Sequence, residues 1–325
     1  MNALLILAVV IAVPLAALVA LLALLVLFTW HTTRKIEAAL PPAGRFVDVP
    51  GARLHVVERG TGPAVLLVHG LSGQLGNFDY GMIEPLSREF RVIAIDRPGA
   101  GYSAREPGAP ADLRAQADTL AALIETLGLE KPLVVGHSLG GAISLALAAY
   151  HPERVGGLAL IAPLTHPPEE ISPVFKAMTV QRTWLRKLMA WTLVIPMSIR
   201  NREQVMDIVF GPDAVPTDFP VRGGGLLALR PSHFIGASED LIGAAHSLPP
   251  LLPQYAELRV PVSVLYGRED RILDYRKNGE AFVSKVPAAT LKLVTGGHML
   301  PVTAVDTSVN FVRNAAMALR QPIPA

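Results

Sequence analysis

Residues 136–140 read Gly-His-Ser-Leu-Gly and carry the clearest chemical signal in the chain. This G-x-S-x-G pattern follows a short apolar run, 133–135, and precedes a stretch of small and apolar residues, 141–150. A serine placed between a strand and a helix in this way sits on a sharp, strained turn that exposes its hydroxyl. Glycines must flank the turn because neighbouring backbone leaves no room for side chains. The pattern therefore predicts Ser138 as a nucleophile.

A serine hydroxyl is a weak nucleophile and needs a general base, which in turn needs an orienting carboxylate. His298 is the predicted base, because it lies in a loop between the last apolar run and a C-terminal helical pattern. Asp270, which follows the apolar run 262–266, is the predicted carboxylate, and Glu269 is the alternative. These side chains would then lie at the carboxyl ends of strands, where a parallel sheet brings its loops together.

The tetrahedral intermediate of acyl transfer carries a negative oxygen that needs two preorganised hydrogen-bond donors. Leu139 N–H is the first predicted donor, because it lies at the start of the helix after the nucleophile. The second donor is expected from residues 69–73, His-Gly-Leu-Ser-Gly, which follow an early apolar run. Leu71 N–H is the preferred second donor, and Ser72 N–H is the alternative.

Short apolar runs alternate with helical patterns in the part of the chain after residue 44. Continuous apolar strands separated by helices predict a mostly parallel sheet covered on both faces, which is an α/β fold. The runs 45–49 and 53–58, joined by Pro-Gly, predict an antiparallel hairpin at its start. The runs predicted as further strands are 64–69, 92–96, 133–138, 157–162, 261–267 and 290–294.

The alternation of strands and helices stops between residues 163 and 260. This stretch contains helix-like pieces, at 174–194 and 202–210, and breakers rich in glycine and proline. Such an insertion predicts a mostly helical cap over one end of the sheet. We therefore expect the first part of the core at 45–163, a helical cap at 164–259 and the second part of the core at 260–320.

Together these motifs resemble the α/β-hydrolase superfamily, specifically its capped branch of esterases, lipases and epoxide-hydrolase-like proteins. That family uses the chain order Ser138, Asp270, His298, and residues 96–103, Asp-Arg-Pro-Gly-Ala-Gly-Tyr-Ser, are similar to its D-x-x-G-x-G-x-S loop. The resemblance covers residues 45–320 and implies a hydrolase that needs neither a metal nor an organic cofactor. Epoxide hydrolases and haloalkane dehalogenases of this fold carry an aspartate at the elbow, so the serine argues against both activities.

Residues 3–30 are apolar except for Pro14 and Thr29, and they predict a transmembrane helix. A helix of this length measures about 42 Å, against about 30 Å for the hydrocarbon core of a bilayer. A cleaved signal peptide is disfavoured, because the chain starts without a basic residue and the apolar run is too long. Arg34 and Lys35 follow the run, so the domain after it is expected on the cytoplasmic side. The linker, 31–44, is too short to hold that domain far from the bilayer.

The composition narrows the classes of function. The chain has 29 basic and 27 acidic residues and no long basic run, which argues against a nucleic-acid partner. It has no cysteine, which excludes disulfide bonds, thiolate metal sites and a cysteine nucleophile.

These observations predict a membrane-anchored serine hydrolase that cleaves carboxylic esters through an acyl-enzyme. Its partners would be a small-molecule ester and the lipid bilayer, and lipid-derived esters are candidate substrates because the domain lies near the membrane. Two alternatives stay open: a hydrolase that uses the same triad to cleave a carbon–carbon bond in vinylogous diketones, and a non-catalytic membrane-tethered scaffold. Five large apolar residues are expected to pack the cap against itself, or some of them to line an acyl pocket: Met178, Trp184, Leu188, Met189 and Trp191.

Overall fold

The structure is a computed structural model that describes residues 3–319. Within this range the chain forms an α/β fold, as the sequence predicts, in which one mixed sheet is covered by helices on both faces. A helical insertion separates two parts of the sheet, and a long apolar helix precedes it. Residue 320, which the prediction included in the core, lies outside the described residues.

One sheet contains all nine strands of the described range. Its spatial order is β1-β2-β4-β3-β6-β7-β8-β9, and the short β5 pairs with β2. β2 runs antiparallel to β1, β4 and β5, whereas all the other pairs are parallel. The bounds are β1 Arg45–Val49, β2 Ala52–Arg59, β3 Ala64–Val68, β4 Arg91–Ile95, β5 Ala104–Arg105, β6 Leu133–His137, β7 Gly157–Ile161, β8 Val262–Gly267 and β9 Ala289–Val294.

The helices of the described range precede the sheet, flank it or form the insertion. They are α1 Ala3–Ala39, α2 Gly76–Asp79, α3 Ile83–Ser87, α4 Leu113–Thr126, α5 Leu139–Tyr150, α6 Thr183–Thr192, α7 Val194–Arg200, α8 Arg202–Phe210, α9 Phe219–Arg222, α10 Pro231–Leu251, α11 Ala281–Val283, α12 Leu300–Thr303 and α13 Val305–Ala318. Short 3₁₀ segments lie at Pro152–Arg154, Pro173–Thr179, Gly225–Leu229 and Leu252–Glu257, and Arg276–Glu280 forms a π-helical turn.

The central strands are buried on both faces because their apolar residues are continuous. In β3, Leu66 and Val68 belong to a core cluster shared with α4 and α5. Val65 and Leu67 belong to a second cluster, which includes α13 on the opposite face. The sheet thus separates two apolar layers and holds the carboxyl ends of β3, β6, β7 and β8 at one edge.

The segment between β7 and β8 contains only helical elements in residues 162–261, all of which the structure describes. Its longest helix, α10, packs against α6 within the insertion and against α4 in the core. An aspartate on α10, Asp240, forms buried ion pairs with Arg97 and Arg105 of the core. The cap is therefore joined to the core by charge as well as by apolar contact.

The first helix, α1, is long and apolar enough to cross a membrane. Its 37 residues span about 55 Å. It continues to Ala39, so most of the segment expected as a linker is helical. Residues 31–39 contain neither glycine nor proline, and Ile36 is buried, which favours continuation of the helix. The helix ends at Ala39, two residues before the first of the prolines at 41 and 42. A proline disfavours helical geometry in the residue that precedes it.

The chain that leaves α1 is fastened to the core by polar contacts. Glu37 lies 3.4 Å from Arg230 at the start of α10, and the Tyr102 hydroxyl donates to the carbonyl of Leu40. His55 contacts the carbonyl oxygen of Ala43 with one ring nitrogen and Asp96, at 2.8 Å, with the other. Burial alone would lower the pKa of His55, but the hydrogen bond and charge of Asp96 outweigh it and raise the pKa.

Candidate active site

Ser138 occupies the sharp turn between β6 and α5. Its backbone has φ 54° and ψ −119°, a strained conformation for a residue with a side chain. A Cβ atom at position 136 would lie 2.6 Å from the carbonyl oxygen of Gly140, and one at position 140 would overlap the carbonyl of Val68. The glycines are therefore required by the close approach of β3, β6 and α5, as the sequence pattern predicts.

Asp270 lies against His298, as the sequence analysis expected of this pair. The Oδ2 atom of Asp270 lies 2.7 Å from Nδ1 of His298, and the Asp270 side chain is fully buried. The other carboxylate oxygen, Oδ1, accepts hydrogen bonds from the backbone N–H groups of Ile272 and Leu273. These donors fix the carboxylate plane, so that Asp270 holds the imidazole through Nδ1 and leaves Nε2 for another partner.

Glu269, the alternative carboxylate, has a different contact. Its Oε2 accepts a hydrogen bond of 2.7 Å from the backbone N–H of Gly296. Glu269 therefore braces the start of the loop that carries His298 and does not contact the imidazole. The structure selects Asp270 as the partner of the histidine.

Ser138 and His298 line the same cavity, at the carboxyl ends of the strands. Both side chains are largely shielded, since Ser138 is 8% exposed and His298 is 5% exposed. Within residues 3–319, Ser138 Oγ forms no hydrogen bond, either with His298 or with another group. The cavity thus brings the two residues to one wall and leaves the serine hydroxyl unengaged.

The loop after β3 passes directly over the serine. A Cβ atom at Gly70 would lie 2.9 Å from Ser138 Cβ, so only glycine permits this approach. Leu71, Ser72 and Leu139 line the cavity beside Ser138, and their backbone N–H groups donate no hydrogen bond to the described part of the chain. The three predicted donor positions are therefore adjacent to the serine and free of internal partners.

Arg97, which the sequence analysis did not single out as a site residue, holds the base of this loop. Its guanidinium donates to the carbonyl oxygens of His69 and Gly70, each at 2.9 Å. It also pairs with Asp240 at 2.6 Å and with Gln116 at 2.8 Å. The backbone N–H of Arg97 donates to His69 Nε2, so His69 Nδ1 carries the proton and donates to Gly70 O. Its position inside the D-x-x-G-x-G-x-S motif was the available signal, but the motif does not reveal these contacts.

His137, next to the serine, supports the histidine loop. Its Nε2–H donates to the carbonyl oxygen of His298 at 3.0 Å, and the two rings lie 4.9 Å apart. Burial, together with the nearby His298, lowers the pKa of His137 to about 3. The ring is therefore neutral at physiological pH and acts as a donor that fixes the His298 backbone.

The cap contributes two further contacts that sequence reasoning missed. His233 of α10 places Nε2 2.9 Å from Ser72 Oγ and 3.1 Å from Ser72 O. Asp213 accepts a hydrogen bond of 2.9 Å from the backbone N–H of Gly297, next to His298. Each contact joins residues that are far apart in sequence, so no local pattern signals it.

The cavity has a volume of about 230 Å³ and a mostly apolar wall. None of the described residues that line it is an arginine or a lysine. Of the five cap residues proposed for an acyl pocket, Met178 lines the cavity, whereas Trp184, Leu188, Met189 and Trp191 do not. The apolar lining residues that the cap contributes include Leu164, Ile171, Val174, Phe175, Met178, Val205, Met206, Val209, Phe210, Phe219, Ala228, Leu241 and Ala244.

Residues 63–198 match the model of the family described as alpha/beta hydrolase fold. A Rhodobacter capsulatus protein, the magnesium-chelatase 30 kDa subunit, is 31% identical over 252 residues, which are 75% of this chain and 84% of that protein. The chain belongs to the α/β-hydrolase fold family. This membership places the chain in a family of hydrolase enzymes. It spans about a third or less of the first curated relatives that it matches, 32%, 34% and 23% of their lengths.

Two solved structures illustrate the likeness of this α/β-hydrolase to known folds. A thermophilic esterase from Thermogutta terrifontis superposes with a TM-score of 0.66 at 26% identity, over 86% of this chain and all (100%) of that one. A structure described as a membrane phospholipase A superposes with a TM-score of 0.67 at 24% identity, over 98% of this chain and 99% of that one. The second likeness concerns the fold alone.

Replacing Gly140 by alanine tests the close approach at the elbow. The new Cβ would overlap the carbonyl of Val68, so either β3, which lies inside the sheet, or the start of α5 would have to move. We expect Gly140→Ala to lower the free energy of unfolding by about 3 kcal/mol or more. Gly108→Ala is the control without a steric clash: alanine is strained there by the positive φ of 84°, but no atom lies within 4 Å of the new Cβ, so we expect a loss of only about 1 kcal/mol. Equal losses in denaturant unfolding would contradict the packing described.

The pH dependence of stability tests the neutral buried histidine. The pKa of His137 is about 3 in the folded chain and about 6.5 in the unfolded chain. At a pH between these two pKa values, this residue binds a proton only in the unfolded chain. The contribution of His137 to the free energy of unfolding is therefore at its full value above about pH 6.5 and falls as the pH is lowered. The expected slope from His137 is about 1.4 kcal/mol per pH unit. Denaturant unfolding in detergent at pH 5 and pH 7 should show a smaller pH dependence for His137→Gln, whereas the exposed control His246→Gln should keep it.

Proposed function

We propose that this protein is a membrane-anchored serine hydrolase that cleaves carboxylic esters. The observation that carries the proposal is a serine and a histidine on the wall of one apolar cavity, with a buried carboxylate behind the histidine. Ser138, on a strained elbow, shares the cavity wall with His298. The buried carboxylate of Asp270 is hydrogen-bonded to Nδ1 of that histidine. This is the arrangement that activates a serine hydroxyl for attack on an acyl carbon.

In the proposed mechanism, Ser138 Oγ attacks the ester carbonyl carbon while His298 Nε2 accepts its proton. Asp270 keeps the proton of neutral His298 on Nδ1 and stabilises the imidazolium that forms. The N–H groups of Leu71 and Leu139 bind the oxyanion. The tetrahedral intermediate collapses, and the alcohol leaves with the proton that His298 returns. Water then attacks the acyl-enzyme with His298 again as base, which releases the acid and restores Ser138. The mechanism requires Ser138 Oγ and His298 Nε2 to come within hydrogen-bond distance when substrate binds.

The apolar wall of the cavity supports a substrate whose enclosed portion is an apolar acyl group. Its lining is dominated by apolar cap residues, and its polar residues, apart from Glu170 and Ser172 of the cap, surround Ser138 and the loop after β3. Esters with long, uncharged acyl chains fit this distribution, because the chain can bury its surface while the carbonyl faces the serine. The similarity to a thermophilic esterase, at 26% identity, supports ester hydrolysis as the reaction class.

A carbon–carbon bond hydrolase is the second candidate, and one comparison favours it. A 2-hydroxy-6-oxononadienedioate/2-hydroxy-6-oxononatrienedioate hydrolase from Burkholderia vietnamiensis is 29% identical over 234 residues, 68% of this chain and 76% of that protein. A dioate carries two carboxylates, which call for cationic partners. The lining described here contains Glu170 and no arginine or lysine, so this cavity suits a neutral ester better.

Membrane anchoring is the part of the proposal that rests on α1. The stretch from Val10 to Ala39 has a mean hydropathy of 3.1 over its most apolar window, and no residue of that window is buried. Exposed apolar side chains over this length require a nonaqueous environment. With Arg34 and Lys35 at its end, we propose that the catalytic domain faces the cytoplasm.

Replacement of Ser138 by alanine tests the nucleophile. It removes the attacking oxygen, so we expect ester turnover to fall by about 10⁵-fold or more, since the remaining groups act only as a unit with the serine. Ser172→Ala, a serine on the same cavity wall, should change turnover by no more than a few-fold. The measurement is hydrolysis of an ester series of increasing acyl length, with labelling by a fluorophosphonate. Unchanged turnover or labelling in Ser138→Ala would overturn the mechanism, and an unlabelled native chain would favour the scaffold alternative.

His233 tests whether the cap positions the oxyanion loop. Glutamine can place an amide nitrogen near the position of His233 Nε2, whereas asparagine is too short to reach Ser72. We expect His233→Asn to lower kcat on a small soluble ester by about tenfold with little change in KM, because a misplaced donor weakens binding of the transition state. His233→Gln should recover most of this loss. Equal losses in the two variants, or a change confined to KM, would contradict a positioning role.

A further inference from the structure

An unexpected apolar surface lies on the cap. Trp184, Leu188 and Trp191 follow one another at helical spacing on α6 and are 62%, 44% and 38% exposed. None of the three lines the cavity, and their exposure shows that the prediction of packing within the cap is wrong for them. These three residues, on the cap helix that leads into α7, are called the α6–α7 face below.

The composition of this face is that of a membrane interface. Soluble proteins rarely expose contiguous patches of large apolar residues, and such patches mark partner or membrane contacts. Tryptophan is enriched at the level of lipid headgroups, where an apolar ring with one polar N–H fits best. Two of the three tryptophans of the chain, Trp184 and Trp191, lie on this face, and the third, Trp30, lies at the end of the apolar run of α1.

The position of α1 places this face beside the lipid. α1 packs against α6, and its shielded residues Leu22, Leu25, Thr29 and Ile36 form a stripe along one side. Leu22 lies about 12 Å further along the helix than Trp30, toward the N-terminus. The cap therefore accompanies α1 well into its apolar run, and a bilayer that reaches Trp30 also reaches the cap.

The opposite sides of α1 show how far the bilayer must extend. Leu24, Leu27 and Phe28 are largely exposed, at 64%, 60% and 45%, between Leu22 and Trp30. A bilayer that stopped at Leu22 would leave all three in water. A bilayer that extends to Trp30 covers them. The transfer of these large apolar side chains from water into lipid lowers the free energy.

The charges around the face complement an anionic lipid surface. Residues 171–202 contain no aspartate or glutamate. Arg186 is buried and paired with Glu239, whereas the other basic residues of this stretch are exposed. Exposed bases beside an apolar face bind acidic headgroups while the apolar side chains enter the interface. The exposed bases are Lys176, Arg182, Lys187 and Arg200, together with Arg202, which is paired with Glu203 at 3.7 Å.

We propose that the α6–α7 face inserts into the headgroup region of the same bilayer that α1 crosses, with acidic phospholipid as the partner of the surrounding bases. This inference rests on the membrane anchoring proposed above. The cap segments on either side of the face in the chain, Pro173–Thr179 and α8, both line the cavity. Insertion would therefore place the cap walls of the cavity at the lipid surface, so that an acyl chain enters from the bilayer.

Tryptophan quenching in the full chain tests the proposal directly. Three single-tryptophan variants retain Trp30, Trp184 or Trp191, with phenylalanine at the other two positions. Met317→Trp in a background without the other tryptophans is the aqueous control, because Met317 is exposed on α13, which packs on the core. The variants are reconstituted in phosphatidylcholine–phosphatidylglycerol vesicles. The quenchers are phospholipids brominated on the acyl chain and aqueous iodide, added to the side that the domain occupies.

We expect brominated lipid to quench Trp184 and Trp191 as well as Trp30, and iodide to quench the Met317→Trp control alone. Trp184 and Trp191 that are quenched by iodide, with Trp30 still quenched by brominated lipid, would overturn the inserted face and leave the anchor intact. Protection of Trp184 from both quenchers would also overturn it, in favour of a contact with a second copy of the chain. Trp30 without lipid quenching would instead refute the anchor itself.

A pair of charge substitutions separates insertion from catalysis. Trp184→Glu combined with Leu188→Glu makes insertion unfavourable without touching the cavity lining. We expect turnover of a long-chain ester held in vesicles to fall about tenfold, with turnover of a short soluble ester unchanged. Met317→Glu, the matched control, should change neither. Unchanged turnover in vesicles would overturn the proposal, and loss of both activities in Ser138→Ala serves as the reference for a failure of catalysis.

Discussion

A buried guanidinium joins the core, the loop after β3 and the cap of this molecule. Arg97 is 1% exposed, and a buried charge is tolerated only when its donors are matched by acceptors. Its partners are a core glutamine, Gln116, the carbonyls of His69 and Gly70, and the cap carboxylate Asp240. Removing one partner of such a pair costs about 3–5 kcal/mol, because the other charge stays buried. The loop over the serine is therefore placed by the core and the cap together.

The same coupling recurs on both sides of the serine. His233 and Asp240 lie seven residues apart on α10, two turns of one helix, and act on the loop after β3 through Ser72 and Arg97. Asp213, in the cap segment between α8 and α9, holds the histidine loop. Since hydrogen-bond donors stabilise a transition state only when they are placed in advance, a displacement of the cap would weaken oxyanion binding and the histidine position at once. The cap is thus a structural element of the reaction centre as well as its cover.

The sequence predicted what depends on neighbours in the chain. Continuous apolar runs located the strands, and the elbow with its glycines follows from local sterics around Ser138. The choice between Glu269 and Asp270 needed the structure, because the sequence does not show in which direction each of two adjacent side chains in a loop points. The contact of His233 with Ser72 spans 161 positions and leaves no local signal. For Trp184 and Leu188, helical spacing showed that they share a face, but spacing does not show what covers it.

The proposed position of the α6–α7 face changes the energetics of substrate capture. Moving a methylene group from an apolar phase to water costs about 0.8 kcal/mol, so an acyl chain of ten methylenes would lose about 8 kcal/mol by leaving the bilayer. A cavity whose cap walls lie at the lipid surface avoids this cost, because the chain passes from one apolar environment to another. The apolar lining then contributes little net affinity for such a substrate. Discrimination would depend on the few polar groups near Ser138, where the ester carbonyl must meet the loop that Arg97 and His233 hold.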